Sequence, residues 1–554
     1  SFAGDPQMYY YRYYATNGGG QTWAPSTEWF LAGEVNFRTL APVADEYGIL
    51  PATVVVERAF SGTNGSLTVY YTVGGTAANG VDYQTLSSNV VLAAGQSNAT
   101  IVIQPIWDFA VEGDETVSLT LAAGRYAIGP SNAVTLPLKD MYIPPGANTN
   151  VNSGAWTDVY SWSLLRPPYI GDDVVIASNI TVDVTVTRLA SLTVNAGQTL
   201  TFYGSNTCVT SDLVTVYGTL THATNSATAA PWTPDAKVYI VCSNFNLTAS
   251  GIIDLDGRGY LGPINSAGYG PGAGAKSDWG GGGGHGGAGG AAGNSTNGNG
   301  TIGGGTYGTI EAPVWPGSSG GAAHPYTVKS GSGGGALRIQ ASGEVRIDST
   351  VTANGEDAPG PAGVNTCAGG AGGSLYIACR TLAGSGAFRA WGGAGNLYNA
   401  PNRAGAGGGG RIAIVYDTAA QAAVIPTPVM TFALRGGIGG PAPCRYTEPG
   451  SLYLSDASFY DPSLITNSMS MYLVISNRTA WTPATLDVRD AWLRLRPGLN
   501  LSIAGQVTLD GSSAVLDLFA PATLNCGSLL LTNDATAWLY SGPTNSPSTN
   551  WGGL

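Results

Sequence analysis

Three stretches of this 554-residue chain follow one scheme. "VYIVCSNFNLTASGIIDLDGRG" from Val238, "LRIQASGEVRIDSTVTANGED" from Leu337 and "LYIACRTLAGSGAFRAWGGAG" from Leu375 each run through an apolar alternation, a turn, a second apolar pair and a third, then Asn or Gly. "RIAIVYD" from Arg411 opens a fourth copy. No single copy can bury an apolar face by itself, so each has to stack on the next. The pattern predicts a parallel β-helix, one copy to a coil of three short strands joined by tight turns. The same texture begins after the Pro/Gly/Asn linker "YIPPGANTN" and returns from residue 480 onward without glycine.

Glycine follows each copy, in residues 257–335, 355–374 and 391–410. These insertions leave the coil at an equivalent corner, because each follows a third strand. The longest contains "WGGGGGHGGAGGAAGNSTNGNGTIGGG", residues 279–305. A dinucleotide loop must lie between a strand and a helix, and no helical pattern flanks this one. "GAGAKSDW" departs from a phosphate loop as well, since Ala275 separates Gly274 from Lys276 and no helix follows Ser277. Tyr260, Tyr269, Trp279, Ile302, Tyr307, Ile310 and Trp315 interleave with the glycines and give them a packing face, unlike a flexible Gly/Ser linker. A strict G-X-Y period is missing, which excludes collagen. The expectation is a layer of extended glycine segments bonded through their backbones, a way to satisfy many amides without side chains.

Composition removes several function classes. Charged residues make up 10% of the chain and the net charge is −12, with no Lys/Arg cluster of the kind that phosphate backbones require, so no nucleic-acid partner is expected. No run of about 18 apolar residues exists, so no membrane span is expected. Cys208, Cys242, Cys367, Cys379, Cys444 and Cys526 contain no CxxC, and their even number in a Gly-, Thr- and Asn-rich chain points to disulfides in an oxidising compartment, with buried free thiols as the alternative. The chain begins at Ser1 rather than Met, which fits either a secretory leader already removed or a fragment of a longer chain.

Residues 1–40 hold "QMYYYRYYATNGG" and "TWAPSTEWF", either a local core or an exposed strand offered to a partner. Residues 41–145 switch to a period of two, in "ATVVVERAF", "SLTVYYTVGG", "NVVLAAGQSNATIVIQPI", "ETVSLTLAAG" and "NAVTLPLKD". Short strands at this spacing predict an all-β sandwich. Here "GTAANGVDYQ" followed by "AAGQSNATIVIQPIWDFAVEGDETVSLTL" resembles the Calx-β domain, the calcium-binding Ig-like module of sodium/calcium exchangers and of many large bacterial surface proteins. The resemblance implies Ca²⁺ at one end of the sandwich, held by acidic residues from several loops: Glu46, Asp82, Asp108, Glu112, Glu115 and Asp140. Hard Ca²⁺ takes six to eight oxygens, which converging carboxylates supply. Phe109 stands where the family often has a second Asp, and Met141 and Tyr142 thin the last acidic cluster, leaving at most one weak site, with solvated loop carboxylates as the alternative.

Other chemistry is sparse. His222, His285 and His324 show neither HxH nor HExxH spacing. Asp254, Asp256 and Arg258 in "IIDLDGRGY", with Asp348, Glu356 and Asp357 from the next copy, form the best enzymatic candidate, a pair of carboxylates for polysaccharide cleavage. The competing reading is that such residues close turns by bonding to backbone.

The sequence therefore predicts an all-β chain: an aromatic segment, an Ig-like Calx-β sandwich, then a right-handed parallel β-helix with glycine-rich insertions over 146–420, continued or followed by a further β domain over 421–554. The expected function is that of a secreted or cell-surface protein, bacterial by the resemblance, that is structural or adhesive. Self-association into a homo-oligomer or filament is expected, because the aromatic strand could add to a neighbour and nothing at "NWGGL" resembles a polar solenoid cap. The alternative is a carbohydrate-binding or polysaccharide-degrading β-helix, with surface polysaccharide as the partner.

Overall fold

The computed structural model describes residues 8–31, 34–46, 49–58, 65–106, 112–140, 145–276, 278–293, 302–322, 328–359, 367–399, 402–439, 447–460, 463–476 and 478–540. Asp108, His324 and Cys444 lie outside these ranges. The described residues are almost entirely strand, turn and extended segment, with one short α-helix at Thr418–Gln421 and 3₁₀ turns at Val159–Ser161 and Asn467–Met469. The chain divides into two compact units, Ser1–Pro144 and Pro145–Leu554.

In the first unit, alternation of apolar and polar residues builds two sheets. Four strands lie in the order Asn98–Ile103, Ala52–Arg58, Glu34–Ala41, Ala127–Ile128, and five in the order Ala44–Asp45, Ala133–Lys139, Glu115–Leu121, Leu67–Gly75, Asn89–Leu92. Every second side chain turns inward, as the pleat requires, so Val35, Val54, Val56, Ile101 and Ile103 share one core with Val69, Tyr71, Val117, Leu119, Leu136 and Leu138. Glu34–Ala41 belongs to the four-stranded sheet, so the separate aromatic segment ends earlier than residue 40. Among the described residues that segment pairs only with itself: Met8–Tyr11 with Glu28–Leu31, and Tyr14–Asn17 with Gly20–Trp23. Tyr13, Tyr14 and Trp23 are 69%, 46% and 58% exposed.

In the second unit the repeat becomes a ladder. A parallel sheet of fifteen strands runs from Ala147–Asn150 to Thr536–Tyr540, passing residue 421 without a break, and an eight-stranded parallel sheet runs from Gly154–Ala155 to Thr431–Ala433. The expected linker thus contributes the first strand of the larger sheet from Ala147. Equivalent residues of the copies are hydrogen-bonded neighbours: Val238, Leu337, Leu375, Ile412, Leu452, Leu473 and Leu495 form one column, and Ile240, Ile339, Ile377, Ile414, Leu454 and Ile475 another. In the smaller sheet Ile253, Val351, Phe388 and Phe432 do the same, the two phenyl rings stacking at 5.4 Å. These columns are buried and form one continuous core.

The glycine insertions pack chiefly through their backbones. The amides of Gly369 and Gly372 donate to Gly405 and Gly408, those of Gly370 and Gly373 to Glu356 and Ala353, and those of Ala368 and Ala371 to Gly321 and Ser318. Successive amides therefore point to three different neighbours in rotation, the three-residue period of a polyproline II helix, which has no internal hydrogen bonds and offers every amide outward. Segments remote in sequence join the same way, Gly283 to Gly369 and Gly287 to Gly409. The spacing leaves no room for side chains: a Cβ on Gly407 would overlap the carbonyl of Gly370, and one on Gly282 that of Ala406.

Two histidines are built into this body. His285 is fully buried, with Nδ1 2.8 Å from the Gly372 carbonyl oxygen and its ring against Tyr307. The His222 Nε2 accepts from the Ala336 amide, while Nδ1 lies 2.7 Å from the Ala223 oxygen. Burial holds both rings neutral, His222 down to about 4, and His285 to about 3 with the Arg411 charge adding to the effect.

Cys208, Cys242, Cys367, Cys379 and Cys526 are free thiols, so the expected disulfides do not form among them. The register explains one case. Cys242 neighbours Ala341, and Cys379 lies on the strand beyond. Two rungs separate them by about 9.6 Å, beyond the roughly 7 Å limit for bridging.

Two outcomes follow from this packing. Gly407→Ala lowers stability by about 1–3 kcal/mol through overpacking. Gly305→Ala, at a glycine whose Cβ would meet nothing within 4 Å, stays within about 0.5 kcal/mol in calorimetry. The histidines are depressed, so the unfolded chain binds protons that the fold does not. Stability is full above pH 6.5 and falls as pH drops toward 4 and 3, by about 1.4 kcal/mol per unit for each ring. A His222→Asn, His285→Asn variant loses that part of the slope, and an unchanged acid melting profile refutes the assignment.

Candidate metal centre

Four of the predicted acidic residues come to one end of the first unit because the strands that carry them are paired there. Glu115 begins its strand opposite Leu138, Asp140 follows the partner strand, and the turn holding Asp82 comes after Leu67–Gly75, whose Gly75 pairs Val117. Glu112 precedes Glu115 by three residues. One oxygen from each of Asp82, Glu112 and Glu115 lies within 4.8 Å of the others.

The local bonds fix these side chains. Asp82 Oδ2 accepts from the Ala78 amide at 2.6 Å, folding the turn over its own carboxylate. Asp140 Oδ2 accepts from the amides of Glu112 and Gly113 at 3.0 and 2.8 Å, holding that loop against the end of its own strand. Its other oxygen, Oδ1, is buried with no hydrogen-bond partner. Burial pushes the Glu115 carboxyl above its ordinary range, a hydrogen bond with Asp82 adds to this, and the charges of Asp82, Glu112 and Asp140 raise it further. The neighbouring Lys139 is engaged by Asp114.

Crowded carboxylates and an orphaned buried oxygen are the chemistry of a hard-cation site, since a cation removes the repulsion and supplies the missing partner. The donor set therefore fits Ca²⁺. Glu46 is brought nearby by backbone, its amide donating to the Lys139 carbonyl, but it is not in the cluster of three. Asp108 is outside the described residues, although the Ile106 amide bonds to the Asp82 carbonyl two residues before it.

The residues weighed for polysaccharide cleavage also have observable places. Asp256, Arg258 and Glu356 line a cleft of about 290 Å³ with Lys329 and Ser332. Asp256 accepts from the Asn354 backbone and side chain, Glu356 pairs with Lys329, Asp348 with Arg346, Asp357 accepts from the Ala394 amide, and Asp254 from that of Asp256. Each carboxylate thus closes a turn, crosslinks neighbouring segments or forms an ion pair. A feature passed over in the sequence is the second position of the aligned copies, Tyr239, Arg338 and Tyr376, which form one outward column. The signal was present in "VYIV", "LRIQ" and "LYIA".

No protein-family model matches the chain, and a search of curated proteins finds no match. Among solved structures the chain is similar to the crystal structure of CBD12 from CALX1.2, at 19% identity and a TM-score of 0.18, over 22% of this chain and 49% of that one. It is similar to the calcium binding domain CBD12 of CALX1.1 at 19% identity and a TM-score of 0.18, over 23% and 52%. The match spans about half the length of each of these solved chains.

Proposed function

We propose that the chain is a secreted or cell-surface structural and adhesive protein, the subunit of an extracellular filament or matrix. In this reading the first unit is an Ig-like Calx-β sandwich stiffened by Ca²⁺ at Asp82, Glu112, Glu115 and Asp140. The second is a right-handed parallel β-helix faced with glycine. The observation that carries the proposal is the use of the second unit's backbone: parallel ladders continue from Ala147 to Tyr540, and the glycine insertions bond to one another. Such a body supports construction and leaves chemistry little room.

The assembly surface is the aromatic hairpin. An isolated hairpin is marginal in water, and Tyr14–Asn17 with Gly20–Trp23 pairs with no other sheet while exposing Tyr14 and Trp23. Adding to a neighbour's sheet edge would satisfy both the edge and the rings. Negative-stain imaging of the full chain is expected to reveal filaments, and deletion of residues 1–24 to abolish them. Unaltered filaments after deletion refute the hairpin's role, and a protein that stays monomeric at all concentrations refutes assembly.

Calcium binding is read out separately. Ca²⁺ at about 10 mM is expected to stabilise the first unit by about 1–3 kcal/mol, the range for an extracellular site of millimolar to submillimolar affinity. Glu115→Gln relieves the carboxylate repulsion, so without Ca²⁺ it melts no lower than the parent, yet its response to Ca²⁺ is lost. An unshifted melting temperature in the parent protein overturns the site.

A further inference from the structure

The fifteen-stranded sheet carries a groove of about 770 Å³ that crosses six strands. Its lining includes the small side chains Ser211, Cys242, Ala341, Ala378 and Cys379, with Val241, Gln340 and Val415 among them. Along one flank, two residues back on each strand, runs the column Tyr239, Arg338, Tyr376, Ala413, Tyr453. Tyrosine recurs there at every second rung, about 9.6 Å apart. Tyr239 reaches into the groove wall, its hydroxyl donating to Gln340 Oε1 at 2.8 Å.

The charge on this flank is uncompensated. The Arg338 guanidinium lies 4.9 Å from the Tyr239 ring and 6.0 Å from that of Tyr376, and the Lys237 ammonium 5.5 Å from Tyr239. Among the described residues no carboxylate lies within ion-pair distance of either cation. The Arg338 Nε is buried with no hydrogen-bond partner. Burial lowers the Lys237 ammonium, and the neighbouring Arg338 charge lowers it further. On the opposite rim Arg380 is exposed, Asp212 is held by Arg188, and Asp417 is spent capping the helical turn. In a chain of net charge −12, two adjacent cations without a counter-ion mark a place where an anion is expected from outside.

We propose that this groove binds a linear polysaccharide bearing carboxylate or sulfate groups, lying across the strands. The tyrosine faces offer apolar platforms to sugar rings, and an extended glycan advances by roughly one rung spacing per ring. Arg338 and Lys237 take the acidic groups of the sugars between those platforms. A peptide strand is a poorer occupant, because strands within the sheet are bonded on both sides and offer no free amides or carbonyls to it. Nucleic acid is opposed by the net charge. The proposal stands apart from filament assembly, so imaging and binding can fail independently.

The test is affinity electrophoresis of the intact chain in gels containing polygalacturonate or alginate, with xylan and dextran as neutral controls and single-stranded DNA as a polyanion control. Both acidic polymers are expected to retard the parent protein, less so as salt rises, and the neutral ones not to. Lys237→Gln with Arg338→Gln, and separately Tyr376→Ala, are expected to weaken binding tenfold or more with unchanged circular dichroism. Should Tyr376→Ala fail to fold, Ala378→Glu places a carboxylate in the trough with the rings intact and has the same expected effect. Absence of retardation by either acidic polymer, or equal retardation of parent and variants, overturns the proposal. So does single-stranded DNA binding of equal strength that is indifferent to Tyr376→Ala.

Discussion

The hydrogen bond between a backbone amide on one segment and a backbone carbonyl on the next is the interaction on which the second unit depends. It appears in two forms. In the ladders the bonds run between adjacent strands and side chains stack into the columns headed by Val238, Ile240 and Ile253. In the glycine body the amides rotate among three neighbours, and the space that side chains would occupy is filled by other backbone. A charged side chain buried in either mode needs a partner to offset its desolvation, as Asp517 has in Arg494.

The few polar side chains inside the glycine body act as connectors between the modes. Arg411 begins a ladder strand, yet its guanidinium donates to the Tyr307 carbonyl and to Ser451 Oγ, both at 3.0 Å, and to the His285 carbonyl at 3.4 Å. Burial lowers it to about 10, so it stays cationic at neutral pH, held by carbonyl dipoles and a hydroxyl in place of a carboxylate. A neutral His285 beside it is the compatible choice, because a second buried cation at that distance is unfavourable. His285, alone in its run of glycines, is a crosslink: its ring meets the Gly372 carbonyl and Ser374 Oγ, and its backbone carbonyl receives Tyr307 and Arg411.

How much of this was legible depends on the range of the information. The copies from Val238, Leu337 and Leu375 were visible because one side-chain pattern repeats at equivalent rungs, and the hydrogen-bond register pairs those very residues. The fourth copy is aligned one residue later than its first residue suggested, at Ile412, because Arg411 turns away to the glycine body. The rotation of amides was legible only as a need, since bonds such as Gly283 to Gly369 join residues with no local signal of each other. The cysteines misled for a related reason: an even count says nothing about rungs, and Cys242 and Cys379 sit two apart on one face. In the first unit the quoted acidic residues were legible as a set, and Asp82, Glu112 and Glu115 do lie together, but no local pattern could say that Asp140 would spend one oxygen on the loop amides and leave the other bare.

A low charge density sharpens what the remaining charges mean. On an ordinary surface, where about a quarter of residues are charged, a cation near a tyrosine has so many possible counter-ions that its position carries little information. Here 23 Lys and Arg are spread over 554 residues, and several that can be traced are tied to a named carboxylate, as Arg166 is to the buried Asp172 and Arg494 to Asp517. Against that background the cluster at Asp82 gathers negative charge and the column at Arg338 gathers positive charge. Both bear a buried polar atom with no partner inside the chain, Asp140 Oδ1 in the first and Arg338 Nε in the second. They are two of eight such side-chain atoms among the described residues, so the bare atom marks neither place by itself; what sets the two apart is the company each keeps, three crowded carboxylates around one and two adjacent cations with tyrosine rings around the other.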